Sequence, residues 1–228
     1  MIFINTRPTP RAQPLSEFLQ HRGISVVDLP LLELVAMPLN NASRQALGQL
    51  CQVKVVILVS EEAVYYGLKT LSSLTNLATV ATFPITWLAV GQKTAACFAS
   101  TWQQLSTSLA PQVIFPQDKR QQNNEGMLAM PVIRALAQGD AVQLWRGVGG
   151  RALLAETLAL RGVEVRLINL YQRSLPHDTR QQFCQWQPPT HSPCVVLISS
   201  LAAWQHWQQL VAASSQLLSS YEYLVLQQ

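Results

Sequence analysis

The sequence predicts an α/β protein built on parallel sheets, and three observations carry that expectation. Residues 7–32 and 146–171 align without a gap at an offset of 139. Strand-like and helix-like segments alternate along most of the chain. The strand-like segments include Val55–Val59 and Val195–Ile198, continuous apolar and largely β-branched runs that suit strands buried on both faces. Such alternation implies parallel strands joined by right-handed crossovers.

The aligned stretches are RPTPRAQPLSEFLQHRGISVVDLPLL and RGVGGRALLAETLALRGVEVRLINLY. Arg7/Arg146, Leu15/Leu154, Glu17/Glu156, Leu19/Leu158, Arg22/Arg161, Gly23/Gly162, Val26/Val165 and Leu31/Leu170 are identical. These eight identities compare with roughly two expected from average residue usage. The same offset sets VVILVSEEAVY (55–65) against CVVLISSLAAW (194–204), so Ser60 meets Ser199 and Ala63 meets Ala202. Two blocks in one register indicate an internal duplication.

Each copy reads strand, helix, strand, connection, strand, helix. The first strand is Ile2–Asn5, with Ala141–Trp145 as its counterpart. In the helix that follows, Leu15, Phe18, Leu19 and Arg22 share one side at 3.6-residue spacing. Gly23 and Gly162 end the helices as left-handed caps. A further unit follows in the first half. TWLAV (86–90) is a strand, GQKT a turn, AACFASTWQQL a helix, PQVIFPQ a short strand and QQNNEG an exposed loop. MLAMPVIRALAQG is a helix in which Pro131 demands the first turn or a kink. YEYLVLQQ (221–228) resembles ITWLAVGQ (85–92), so the second copy stops where the counterpart of GQKTAACFAS would begin. The expectation is a second domain short of its last units, through truncation of the chain.

With 49% hydrophobic and 12% charged residues, the 228-residue chain buries a substantial core under a surface rich in Gln, Ser, Thr and Asn. The net charge of +4 is scattered, without a Lys/Arg block or interleaved aromatics, which argues against a nucleic-acid surface and allows a small anionic ligand. Cys51, Cys97, Cys184 and Cys194 form no C-x-x-C pair, and His21, His177, His191 and His206 have no metal-ligand spacing. Free thiols in a reducing cytoplasm, no metal and no cofactor are therefore expected. MIFINTRP lacks the architecture of a signal peptide. No apolar run approaches the roughly 20 residues of a membrane span.

In open α/β sheets, ligands bind beyond the carboxyl ends of the strands. Those ends are Thr6-Arg7, Ser60, Gly91-Gln92-Lys93-Thr94, Arg146-Gly147 and Ser199-Ser200, each polar, small or basic and each expected to open a helix. Helix N-termini carry free N–H groups and partial positive charge, so they attract anions. Ser and Thr are equally ordinary N-caps, and a glycine turn can serve backbone geometry alone. RGVGGR matches no phosphate loop: the Walker Lys is absent, and Ala152 stands where a dinucleotide fingerprint needs its third glycine. Arg146 and Arg151 instead suit carboxylates, which a guanidinium grips bidentately. Glu61 and Glu62 read as first-turn helix stabilisers. Tyr171 ends the strand VEVRLINLY just before the polar stretch QRSLPHD. It reads as a residue at a domain crossing or as a structural tyrosine with its hydroxyl bonded.

INTRP at the start, LVSEEAV (58–64), LAVGQKTA (88–95), NEGMLA (124–129), WRGVGGRALLAETLALRGVEV (145–165), LYQR (170–173) and LISS (197–200) together resemble the uroporphyrinogen-III synthases of tetrapyrrole biosynthesis, in the same order over nearly the whole chain. The resemblance implies two flavodoxin-like α/β domains, 1–34 plus 174–228 and 35–173, joined by two linker strands near 32–38 and 168–175. It implies a monomer acting on hydroxymethylbilane, a linear tetrapyrrole with acetate and propionate arms, a polyanion suited to a cleft ringed by helix N-termini and arginines. It carries Tyr171 over as the group assisting hydroxyl departure. It also carries over Arg7, Ser60, Gly91, Thr94, Arg146, Gly147, Arg151, Ser199 and Ser200 as substrate-binding positions. Val59 stands where the family has threonine before the serine, and the second-domain G-x-x-T-A turn has no counterpart at Gln227-Gln228. A two-lobed, non-catalytic binder of an anionic effector is the alternative, and a flavodoxin-like nucleotide binder a third.

Overall fold

The chain, described here by a computed structural model over residues 1–186, 192–213 and 218–226 (backbone alone at 10 and 11), begins with β1 (Ile2–Asn5), α1 (Thr9–Gln20), β2 (Ser25–Asp28) and β3 (Glu33–Ala36). Then come α2 (Asn41–Gly48), β4 (Val55–Leu58), α3 (Glu61–Leu74), the single turn α4 (Leu77–Val80), β5 (Thr86–Ala89), α5 (Gln92–Leu105) and β6 (Val113–Ile114). Next are α6 (Asn124–Ala129), α7 (Pro131–Arg134), β7 (Ala141–Gly147), α8 (Leu153–Leu160) and β8 (Glu164–Ser174). The last elements are α9 (His177–Gln185), β9 (Cys194–Ile198), α10 (Leu201–Ala212) and β10 (Glu222–Val225). His191 and the pair Gln227-Gln228 lie outside the described residues.

Two units result, one of Met1–Val35 with Arg173–Gln228 and one of Ala36–Gln172. The first holds a four-stranded sheet in the order β10-β9-β1-β2; the other sheet has six strands in the order β3-β8-β7-β4-β5-β6. The pairs β10–β9, β9–β1, β1–β2, β8–β7, β7–β4, β4–β5 and β5–β6 all run parallel. All four residues of β4 are buried, as a β-branched run between two layers of helix requires. One face of the six-stranded sheet lies in a core with Trp87, Phe98, Trp102 and Trp145, and the other meets Met127, Ile133, Leu154 and Leu158. In the four-stranded sheet, Ile4, Val196 and Ile198 pack with Phe183, Trp207 and Tyr221.

The duplication is visible in the strand pairing. Ile2 lies opposite Ser25 as Ala141 lies opposite Glu164, an offset of 139 in both strands. The second block departs from that offset by one residue. Val55 lies opposite Thr86 as Val195 lies opposite Glu222, so β9 follows β4 at 140. Ser60 caps α3 by accepting the Ala63 N–H at 3.0 Å, and Ser200 caps α10 by accepting the Ala203 N–H at 3.2 Å. Both alanines are fully buried. The equivalents of Ser60 and Ala63 are therefore Ser200 and Ala203, not Ser199 and Ala202.

Other expectations are corrected locally. Gly23 and Gly162 do take left-handed φ values, 76° and 75°. Phe18, however, is half exposed, with the Arg22 guanidinium 3.6 Å over its ring; among the described side chains of α1, Ala12 and Ser16 are the buried ones. The face is polar because Asn5, completely buried, donates to the Ala12 carbonyl at 3.0 Å and to Ser16 Oγ at 2.8 Å. Ser16 Oγ in turn donates to Asp28 at 2.5 Å. The predicted helix around Pro131 is two short ones. Pro131 opens α7, because its ring holds Met130 extended at ψ 139° and it has no N–H to continue α6. Nor is QQNNEG an exposed loop throughout: α6 starts at Asn124, and Gly126 is buried where a Cβ would lie 1.8 Å from the Gln121 carbonyl oxygen.

β10 borders its sheet, with Leu224 47% and Val225 61% exposed, whereas Leu88 and Ala89 of the equivalent β5 are fully buried. Behind β10, burial and the neighbouring Cys194 and Tyr223 push the Tyr221 hydroxyl up to about 12. An acid raised on folding contributes stability that is complete below its unfolded value, ~10 for tyrosine. That contribution is lost as pH rises through the folded value of about 12. Tyr221→Phe is expected to flatten the alkaline fall in melting temperature between about pH 10 and 12; an unchanged slope in calorimetry would assign that fall to other groups.

Candidate functional site

At the carboxyl edge of the six-stranded sheet, β4 delivers Ser60, β7 delivers Arg146 and Gly147, and β8 delivers Tyr171. Tyr171 lies within β8, three residues before its end rather than at it. Its direction comes from an irregularity in pairing: Arg146 lies opposite Asn169, but Gly147 lies opposite Tyr171, leaving Leu170 as an extra residue. Such a bulge re-aims the side chains that follow. Strict alternation from Ile168 would turn Tyr171 to the other face; the extra residue returns it to the core that holds Ile168.

The phenol is 4% exposed and gripped on several sides. Its hydroxyl lies 3.1 Å from Ser60 Oγ. Its ring stacks on Tyr66 of α3, centroids 5.7 Å apart and planes at 24°. Gly147 gives it room, since a Cβ there would lie 2.6 Å from Cε2 and Cζ of the ring. The α3 cap therefore reaches the phenol through the same oxygen that holds the helix end.

The basic and glycine positions divide. Arg146 curls over its own loop, with Nε donating to the Gly147 carbonyl at 3.2 Å, Nη1 to Arg151 O at 3.4 Å and Nη2 to Gly150 O. Much of its donor set thus staples RGVGGR, and fewer N–H groups face outward than a carboxylate clamp offers. Arg151 is exposed. The loop does not open a helix directly: β7 continues through Gly147, and α8 starts only at Leu153, because Gly149 takes a left-handed φ of 74° between them. Gly91 caps α5, which begins at Gln92, so GQKT is cap and first turn. Gln122 fills that helix end, its Oε1 accepting the Gln92 N–H at 3.3 Å. Thr94 is 4% exposed inside the helix.

In the other unit, the Thr6 hydroxyl is spent on the Leu197 carbonyl of β9. Arg7 lines a cavity of about 290 Å³ with Thr9, Gln13, Glu17 and Asp28. Two carboxylates sharing that space offset part of its charge. Ser200 caps α10, and Ser199 is half-buried beside it. Among the described residues, no three His, Cys, Asp or Glu side chains gather as metal ligands, and no helix is long and apolar enough to cross a membrane.

A family model described as uroporphyrinogen-III synthase HemD matches residues 13–225. The chain belongs to the uroporphyrinogen-III synthase family. Uroporphyrinogen-III synthase of Proteus mirabilis is 30% identical over 190 residues, covering 82% of this chain and 88% of that one. That of Salmonella typhimurium is 29% identical over 187 residues, covering 82% and 71%. A uroporphyrinogen III synthase crystal structure from Thermus thermophilus superposes with a TM-score of 0.59 at 13% identity, covering 99% of this chain and 84% of that one. The Helicobacter pylori enzyme superposes at 0.56 with 15% identity, covering 98% and 82%. These structures share the fold, a two-domain α/β architecture with parallel sheets.

Within this uroporphyrinogen-III synthase fold, sequence reasoning missed Tyr66, Gln122 and the extra residue at Leu170. The EEAVYY stretch reads as helix and Tyr66 is partly buried there, but nothing local says that its ring meets Tyr171. Gln122 sits in a polar run with no period.

Proposed function

We propose that the chain catalyses the dehydrating cyclisation of hydroxymethylbilane to uroporphyrinogen III, inverting the last pyrrole ring. Family membership supports this reading over that of a non-catalytic anion binder. The observation that carries the site is the buried phenol of Tyr171 held against the Ser60 hydroxyl at 3.1 Å. The substrate's terminal hydroxyl leaves with electron push from its own pyrrole, and a donated proton turns it into water. The substituted carbon of the last ring then attacks the azafulvene cation, and a spiro intermediate resolves into the inverted macrocycle with loss of a ring proton. Uncatalysed closure keeps that ring in place, so the protein must chiefly control geometry.

Tyr171 supplies the proton that assists departure. Gly91 and Thr94 at the start of α5, with Gly147 at the end of β7, Arg151 on the loop after it and Ser60 beside Tyr171, are the substrate-contacting positions assigned in the unit that holds Tyr171; Arg7, Ser199 and Ser200 are those assigned in the other unit. Arg146 contributes mainly by fixing the loop that carries Arg151. Helix-end N–H groups are preorganised for anions, and such groups lower a barrier by several kcal/mol. Its four free cysteines are in keeping with a cytoplasmic enzyme, and we take it to act as a monomer.

A coupled assay that generates hydroxymethylbilane and separates the isomers tests the reading. The type III isomer is expected, and the type I isomer alone would overturn it. Tyr171→Phe is expected to lower kcat on the order of 10-fold or more, within the range of general acids. An unchanged rate would remove Tyr171 from the chemistry.

A further inference from the structure

We infer that Ser60 Oγ is the atom that hands the proton to the leaving hydroxyl, with Tyr171 standing behind it as the source. This rests on the synthase reading above and names the group that touches the substrate. Tyr171 is 4% exposed, and its hydroxyl is bonded to Ser60. Ser60 is half-buried at the end of β4, on the rim of the same edge.

Hydrogen-bond accounting is compatible with the relay. A serine hydroxyl has one hydrogen and two acceptor sites. One site of Ser60 takes the Ala63 N–H at 3.0 Å. The other is within reach of the Tyr171 O–H at 3.1 Å, a contact in which either hydroxyl can donate. In the relay Tyr171 is the donor, so both acceptor sites of Ser60 are filled and its hydrogen points outward. Two incoming donors also polarise that O–H, since linked hydrogen bonds strengthen one another.

The step balances as follows. The C–O bond of the substrate breaks and its electron pair stays on oxygen. The Ser60 hydrogen joins that oxygen, and water leaves. The Tyr171 hydrogen moves to Ser60 Oγ, and the phenolate that remains is reprotonated back through Ser60, which takes up the proton released when the last pyrrole ring regains its aromaticity. Gly147 and Tyr66 matter here by fixing the phenol so that its hydroxyl meets Ser60 rather than solvent.

The test is a double-mutant cycle on the full chain, read as kcat and KM for hydroxymethylbilane with isomer analysis. Ser60→Ala and Tyr171→Phe are each expected to lower kcat about 10-fold or more, with KM changed less than about 2-fold. The double variant is expected to be no slower than the slower single one, because both act on one proton path. Ser60→Thr, which keeps the hydroxyl, is expected to restore most of the rate. Ser60→Ala also removes a helix cap, so its melting temperature is compared with that of Ser200→Ala, which loses the matching cap of α10. Equal losses of stability with a kcat defect in Ser60→Ala assign that defect to the hydroxyl. A Ser60→Ala enzyme that turns over at the wild-type rate, or single effects that multiply, would overturn the relay while wild-type formation of type III leaves the synthase reading intact. Wild-type protein yielding only type I would instead sink that reading itself.

Discussion

Gly147→Ala is expected to cut turnover by about 10²-fold, the scale reached when a catalytic group shifts by roughly 1 Å. The new Cβ would lie 2.6 Å from Cε2 and Cζ of the Tyr171 ring, well inside contact distance. Little can yield. The ring is stacked on Tyr66, Gly147 sits in β7 opposite Tyr171, and the Val148 N–H donates to the Tyr171 carbonyl at 2.9 Å. The phenol must therefore tilt away from Ser60, breaking the 3.1 Å contact. Overpacking of this kind costs about 1–3 kcal/mol of stability. The variant is thus expected to fold, with a modestly lowered denaturation midpoint and a large kcat defect. Turnover within about 2-fold of wild type would show that the phenol's placement is immaterial.

Trp145→Ala is expected to destabilise the protein by about 3–5 kcal/mol from cavity formation alone. Trp145 is fully buried, packs edge-on against Trp87 with centroids 5.6 Å apart, and lies so close to α3 that only glycine fits at Gly67. A Cβ at Gly67 would sit 2.2 Å from the indole. The indole N–H also donates to Gln143 Oε1 at 2.9 Å, and Gln143 Nε2 donates to the Ala46 carbonyl at 2.6 Å. Removing the indole leaves a buried amide oxygen without its donor, which adds about 1–3 kcal/mol. Urea unfolding monitored by circular dichroism measures the sum. Trp145→Phe refills most of the space and isolates the hydrogen-bond part. A Trp145→Ala loss below about 1 kcal/mol would mean that the site collapses around the cavity.

Much of this fold is legible in the chain because its signals are local and periodic. The apolar run at Val55 reads as a doubly buried strand, and Gly23 and Gly162 read as helix ends. The site is less legible, because what decides it is a difference of one residue. At an offset of 139 the block 55–65 shares Val56/Val195, Leu58/Leu197, Ser60/Ser199 and Ala63/Ala202 with its copy. At 140 it shares Val55/Val195, Val56/Val196, Ser60/Ser200 and Ala63/Ala203. Four identities stand on each side, so similarity does not choose. The caps do, because only one register puts a serine oxygen over the first free N–H groups of α10. The bulge at Leu170 is hidden for a like reason. No glycine or proline marks it, and alternation counted through VEVRLINLY sends Tyr171 to the wrong face. Arg146 is legible as a cation near the edge, but only three-dimensional folding shows that its loop's carbonyls claim it.

The indoles are unevenly shared between the two units. Trp87, Trp102 and Trp145 lie in one, all deeply buried, while Trp186, Trp204 and Trp207 lie in the other, where only Trp207 is fully shielded. Intrinsic emission therefore carries separate reports. A red shift and loss of energy transfer within the buried trio mark the opening of the unit that holds Tyr171, whereas early quenching by added iodide samples the other, so one optical titration follows both halves without a label.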